Sequence, residues 1–115
     1  MPSKVIASTR YALRGLRFLL EERNARMLAA GTVLTVAAGA YFRLSGLEWC
    51  AVVLAMTALW VAEGLNSALE RLTDLASPGF HPLAGKAKDI AAGAVLIALA
   101  AAVSIGVIIF GPRLV

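Results

Sequence analysis

The chain has 115 residues, 60% hydrophobic and 16% charged, with 11 Lys and Arg against 7 Asp and Glu. Soluble domains are about 45–50% apolar, and so short a chain cannot bury the excess in a core of its own. The composition excludes an ordinary soluble domain, hands the apolar surplus to lipid or to other subunits, and leaves room for one domain, 1–115.

Six cations, Lys4, Arg10, Arg14, Arg17, Arg23 and Arg26, precede the first long apolar run. Ile6, Leu13, Leu16 and Leu20 recur near helical period and share one face, with Arg10, Arg14 and Arg17 on a neighbouring face. This predicts a helix over about 4–24 lying in the membrane interface, its cations toward anionic headgroups. The plainer reading is a basic flank that only fixes orientation. The aromatic–basic interleaving of a nucleic-acid-binding sheet is missing, so no nucleic acid partner is expected. Nor is a signal peptide expected, since the first apolar run begins near Met27 with no small-residue cleavage site closing it.

Three spans follow. The first covers about 27–45, and because Arg43 can snorkel the helix can extend to Leu47. "RLSGLE", Arg43 to Glu48, is a polar turn with Ser45 and Gly46 as breakers. The second span covers about 49–72. "ASPGFHPLAGKAKD", Ala76 to Asp89, carries two prolines and two glycines and predicts a non-helical connection. The third span, about 90–110, has no charge, and Pro112 is expected to end it. Counting cations gives six in the N-terminal arm, Arg43 alone in the first turn, Arg71, Lys86 and Lys88 around the second, and Arg113 at the end. The positive-inside rule then places the N-terminus and the second connection in the cytoplasm and the C-terminus outside. Cys50 is the lone cysteine; inside an apolar run it reads as a small buried hydrophobe.

The second span holds the chemistry. Cys50 to Ala62 is free of charge, and then come Glu63, Asn66, Glu70 and Asp74. At about 100° per residue these four fall within an arc of roughly 80°, one stripe down one side of a helix. A carboxylate below the headgroups costs about 2.5–3.5 kcal/mol on insertion scales, which makes an idle Glu63 improbable and a general base its natural role. Glu70, nearer the water, suits a hard cation such as Mg²⁺, which takes one or two carboxylates together with substrate phosphates. Glu21 or Glu22, at the end of the surface helix, can supply the second carboxylate. Ordinary helix-end charges are the competing reading of Glu70 and Arg71.

Lys86, Lys88 and Asp89 stand at the start of the third span, where helix N–H groups and lysines suit phosphate. "GFHPLAGKA", Gly79 to Ala87, is a near miss to a phosphate-binding loop: its glycine spacing is one residue too long, Ala87 replaces the Mg-binding hydroxyl, and no strand precedes it. His81, the sole histidine, makes no metal site by itself and reads as a turn residue. A buried acid, an acid pair, cytoplasmic lysines and surrounding lipid together fit phosphoryl transfer to a lipid alcohol, a reaction needing mainly positioning and charge stabilisation. The alternative is a non-enzymatic oligomeric membrane protein or transporter, with Glu63 as a proton or cation site.

"EGLNSALERLTD" followed by "HPLAGKAKDIAAGAVL", with "ALRGL…ERNAR" upstream, resembles the small prokaryotic diacylglycerol kinases, which include undecaprenol kinases. "LSGLEW" and "SPGFHPLAGKAKD" are more similar to the undecaprenol kinase branch. The resemblance covers nearly the whole chain. It implies an all-α inner-membrane protein with an N-terminal surface helix and three spans, a homotrimer with shared sites, acting on a lipid alcohol with ATP and Mg²⁺. It implies Glu63 as the base and Glu22 and Glu70 as Mg²⁺ ligands. It implies Asn66, Lys88 and Asp89 at the nucleotide and phosphate site, with Tyr11 and the turn Gly79, Phe80, His81 lining the nucleotide. Lys4 or Arg10 adds a phosphate contact, and Asp74 is a further candidate. Two departures stand out: Ala25 where relatives often carry an aromatic, and Leu28 where they often carry His or Glu.

Overall fold

A computed structural model describes residues 2–115. These residues form four helices, α1 (Pro2–Leu20), α2 (Arg23–Tyr41), α3 (Gly46–Ala76) and α4 (Pro82–Leu114). The all-helical expectation holds. Among the described residues two helices, α3 and α4, are long and apolar enough to cross a membrane. At 31 and 33 residues they run to roughly 46–50 Å at 1.5 Å per residue, well beyond a hydrocarbon core of about 30 Å. Helix α2 has 19 residues and spends its first turn on Arg23 and Arg26, which shortens its apolar stretch.

Helix α1 ends earlier than the expected 24. The backbone N–H groups of Glu21 and Glu22 bond to Phe18 and Leu19 at 3.2 and 3.0 Å, a tightened last turn. Glu22 then turns extended (φ −83°, ψ 142°) and becomes the N-cap of α2. Helix α1 carries Lys4, Arg10, Arg14 and Arg17 with no acid, and leaves Ile6, Leu13 and Leu16 exposed. Its C-terminal half lies over α3: a Cβ built on Gly64 would meet Leu19 Cδ2 at 3.7 Å.

The first span also stops short. Helix α2 ends at Tyr41. Arg43 takes a left-handed φ of 56°, its N–H bonds to Ala40 at 3.3 Å, and that of Leu44 bonds to Gly39 at 3.2 Å. That pair of bonds is a Schellman ending with Arg in the usual glycine place, so no helix continues to Leu47. Ser45 and Glu48 form a reciprocal capping box that starts α3 at once. Helices α2 and α3 pack tightly where they leave this turn. A Cβ on Gly39 would stand 2.5 and 2.9 Å from the Trp49 ring, and Trp60 Nε1 donates to Thr32 Oγ1 at 3.0 Å.

The second connection is much shorter than its prolines and glycines suggest. Helix α3 runs on to Ala76, and α4 begins at Pro82, eight residues before the expected Ile90. Pro82 sits in the first turn, where its missing N–H is no loss, and His81 caps the start by accepting from Leu83 N–H at 3.1 Å. Pro112 does not end α4, which continues to Leu114; so close to the terminus a proline forfeits little of the ladder. Helices α3 and α4 are antiparallel neighbours along most of their length and are tied at both ends. Arg113 Nη2 meets Glu48 Oε1 at 2.8 Å at one end, and Lys88 Nζ meets Asp74 Oδ1 at 2.5 Å at the other. Cys50 is exposed rather than buried, so among the described residues it faces outward into whatever covers this apolar surface.

Candidate active site

The polar stripe is where its period puts it, and its centre is buried inside the single chain. Glu63 is 7% exposed, Asn66 8% and Ser67 6%. They lie on the half of α3 that faces the α1–α2 junction. Glu22 reaches across from that junction: its Oε1 accepts from Ser67 Oγ at 2.5 Å and from Arg71 Nη2 at 3.0 Å. This distinguishes the two candidate acids. Glu21 is exposed, whereas Glu22 is half-buried and pinned to α3.

Glu70 accepts from Asn66 Nδ2 at 3.2 Å, one turn along the same helix. Asn66 Oδ1 is buried with no hydrogen-bond partner among the described residues. Glu22, bonded to Ser67, and Glu70, bonded to Asn66, both lie within about two turns of Glu63 along α3. The three acids form one cluster, with Glu63 deepest. Crowding of this kind is costly without cations, and Arg71 is the cation paired within it.

Glu63 and Asn24 stand among the lining of an apolar groove of about 580 Å³ between α2, α3 and α4. Farther out, Gly31, Thr35, Ala55, Met56 and Gly106 line it, and Phe110 lies among the outermost. A carboxylate in such a groove can take a proton from a hydroxyl whose hydrocarbon body lies along the helices.

A second, smaller pocket of about 170 Å³ forms at the α3–α4 turn, lined by Asp74, Ser77, Gly79, Phe80, His81 and Lys88 among others. It gathers four of the residues expected at the nucleotide, Gly79, Phe80, His81 and Lys88, and gives Asp74 a partner in Lys88. His81 is committed to capping α4. Asp89 is exposed and outside both pockets. Lys4, Arg10 and Tyr11 are exposed on α1 and are not brought into the cluster. Tyr11 lies instead under Arg14, 5.6 Å from ring centroid to guanidinium carbon. Sequence reasoning missed Ser67 and gave Arg71 no role beyond a helix-end charge. Ser67 lies about 40° from Glu63 on the helical wheel, roughly 20° beyond the edge of the stripe, and that angle was the available signal.

Among the described residues no group of three or more His, Cys, Asp and Glu side chains is arranged to hold a metal ion by itself. The donors present still fit a hard cation completed by phosphate oxygens and water, as Mg²⁺ usually is. They are the two carboxylates beside Glu63, one of them already holding a cationic side chain, and the unpartnered amide oxygen of Asn66.

An apolar all-helical chain with clustered acids at one end of its longest helices is the pattern of a membrane-embedded enzyme, and relatives of known class agree. A family model for prokaryotic diacylglycerol kinases matches residues 10–110. The undecaprenol kinase of Bacillus subtilis (strain 168) is 39% identical over 93 residues, covering 81% of this chain and 76% of that protein. The diacylglycerol kinase of Synechocystis sp. is 36% identical over 104 residues, 89% of this chain but 59% of the relative's own length. That of Escherichia coli (strain K12) is 28% identical over 102 residues, 88% of this chain and 84% of the relative. The chain belongs to the prokaryotic diacylglycerol kinase family and is a transmembrane lipid kinase. The non-enzymatic reading is thereby set aside.

Proposed function

We propose that this kinase transfers the γ-phosphoryl group of ATP to the hydroxyl of a membrane lipid alcohol at the cytoplasmic face of the inner membrane. Undecaprenol is the first candidate acceptor and diacylglycerol the second. The observation that carries the reading is the buried Glu63 in an apolar groove, with Glu22 and Glu70 beside it. Similarity to the Bacillus subtilis undecaprenol kinase supports the first acceptor.

Each residue then has a part. The lipid lies along the groove with its hydroxyl at Glu63. Glu63 takes the hydroxyl proton as the new O–P bond forms and the bond between the γ-phosphorus and its bridging oxygen breaks, leaving ADP and a lipid phosphate. Glu22 and Glu70 would hold Mg²⁺, which supplies charge neutralisation on the phosphates when bound. Asn66 orients Glu70 through its amide N–H. Lys88 and the Gly79–His81 turn face the nucleotide, and Asp74 holds Lys88 in place. Lys4 or Arg10 and Tyr11 reach a nucleotide only through a neighbouring copy or a shift of α1, in keeping with a homotrimer whose sites are shared. In this reading α2 is a third span. It is hydrogen-bonded to α3 through Trp60 and Thr32, and Arg23 and Arg26 snorkel to the headgroups. Helix α1 lies on the cytoplasmic surface and the C-terminus is outside. Labelled γ-phosphate transfer in mixed micelles, with both lipids side by side, tests the reading; transfer to neither contradicts it.

A further inference from the structure

Glu22 Oε1 is occupied by Ser67 and by the guanidinium of Arg71. Among the described residues Arg71 makes no other side-chain hydrogen bond or ion pair. Its side chain is 55% exposed, so the pair is of the surface kind that solvent and ions displace readily. Lys88, at the start of α4, is engaged by Asp74. Arg71 is therefore the one resident counter-ion paired with the three-acid cluster among the described residues. A guanidinium and a hard dication seek the same carboxylate oxygen, and a guanidinium freed from a carboxylate can bind phosphate through two N–H groups.

We propose that Arg71 is a positioning residue that competes with the divalent cation for Glu22, so that metal is taken up together with the nucleotide's phosphates rather than before them. Without nucleotide, the cation must displace Arg71 from Glu22 and leave the guanidinium with no acid. With nucleotide, the phosphates receive Arg71 as Glu22 passes to the metal. The proposal rests on the reading of Glu22 as a metal ligand. It makes Arg71 a coupling device between the two ligands, holding Glu22 turned toward α3 until both arrive.

The test is Mn²⁺ binding to the full-length protein in detergent, read from the resonance of free Mn²⁺, with and without a non-hydrolysable ATP analogue. Arg71→Met should raise nucleotide-free Mn²⁺ affinity by up to about fivefold, the worth of an exposed ion pair. It should shrink the gain that the analogue gives by a similar factor, and Arg71→Lys, which keeps the charge but not the fork, should fall between Arg71→Met and the wild type. If Arg71→Met does not assemble, Arg71→Gln carries the same expectation. Unchanged or weaker nucleotide-free affinity overturns the proposal and would make Arg71 a plain structural partner of Glu22. Glu22→Gln separates the two layers: a Mn²⁺ affinity indifferent to it, or no binding in any variant, defeats the metal reading and the proposal with it. A response to Glu22→Gln without one to Arg71→Met defeats the proposal alone.

Discussion

Glu63 and Glu22 divide the work of the cluster by depth. Glu63 is buried and opens to an apolar groove lined by α2, α3 and α4, which under the proposed function suits it to a proton rather than to solvent-borne ions. Replacing it with Gln keeps shape and removes the base. Turnover should fall by at least about a hundredfold, while size-exclusion profiles in detergent stay those of the wild type; near-normal turnover would remove Glu63 from its role. Glu22 sits at the N-cap of α2 but leaves the capping undone and spends its carboxylate on α3. Glu22→Gln should therefore leave the fold intact and raise the Mg²⁺ concentration needed for half-maximal rate by about tenfold, the effect of losing one charged ligand. A Mg²⁺ dependence unchanged in that variant would point to Glu21 or to another acid.

The elements are held by a few close contacts, and these can be tested one by one. Gly39 is where α2 meets the Trp49 ring, and a methyl there has no room. Gly39→Ala should cost about 1–3 kcal/mol as overpacking, read as a lower thermal unfolding midpoint in micelles, whereas Gly31→Ala, with open space at its Cβ, should not. Helix α1 is governed by charge instead. It carries four cations and no acid, and the remaining seven cations balance all seven acids of the chain. The whole net charge of +4 thus belongs to α1, which the proposed function places on the membrane surface. Each Arg near an anionic surface is worth about 1 kcal/mol. Changing Arg10, Arg14 and Arg17 to Gln together should abolish any advantage in kinase rate of anionic over zwitterionic bilayers; an undiminished advantage would contradict the surface placement of α1.

At the scale of the molecule, the sequence was legible where one physical rule acted alone. The polar stripe followed from the helical period, and α3 and α4 as candidate spans from their long apolar stretches. The ends were less legible because local and tertiary terms compete there. The snorkelling of Arg43 argued for a longer first span, but a Schellman ending and a Ser45–Glu48 capping box closed α2 and opened α3 within a few residues. Pro78, Gly79, Pro82 and Gly85 argued for a long loop, yet Pro82 is well suited to a first turn and only 77–81 left the helices. Ser67 was hard to single out because serine in a helix has no necessary partner in sequence; its partner, Glu22, caps another helix 45 residues away. Lys4, Arg10, Tyr11 and Asp89 were assigned through resemblance, and in one chain they stand apart from the cluster.

The central claim is that a buried carboxylate among membrane helices activates a lipid hydroxyl toward ATP. The direct measurement is transfer of labelled γ-phosphate to undecaprenol and to diacylglycerol by the wild type and by Glu63→Gln, in the same mixed micelles with Mg²⁺. The account predicts lipid phosphate from the wild type, with undecaprenol the better acceptor, and a loss of at least about a hundredfold in the variant with both lipids. Equal rates for the two proteins, or no lipid phosphate from either, would contradict it.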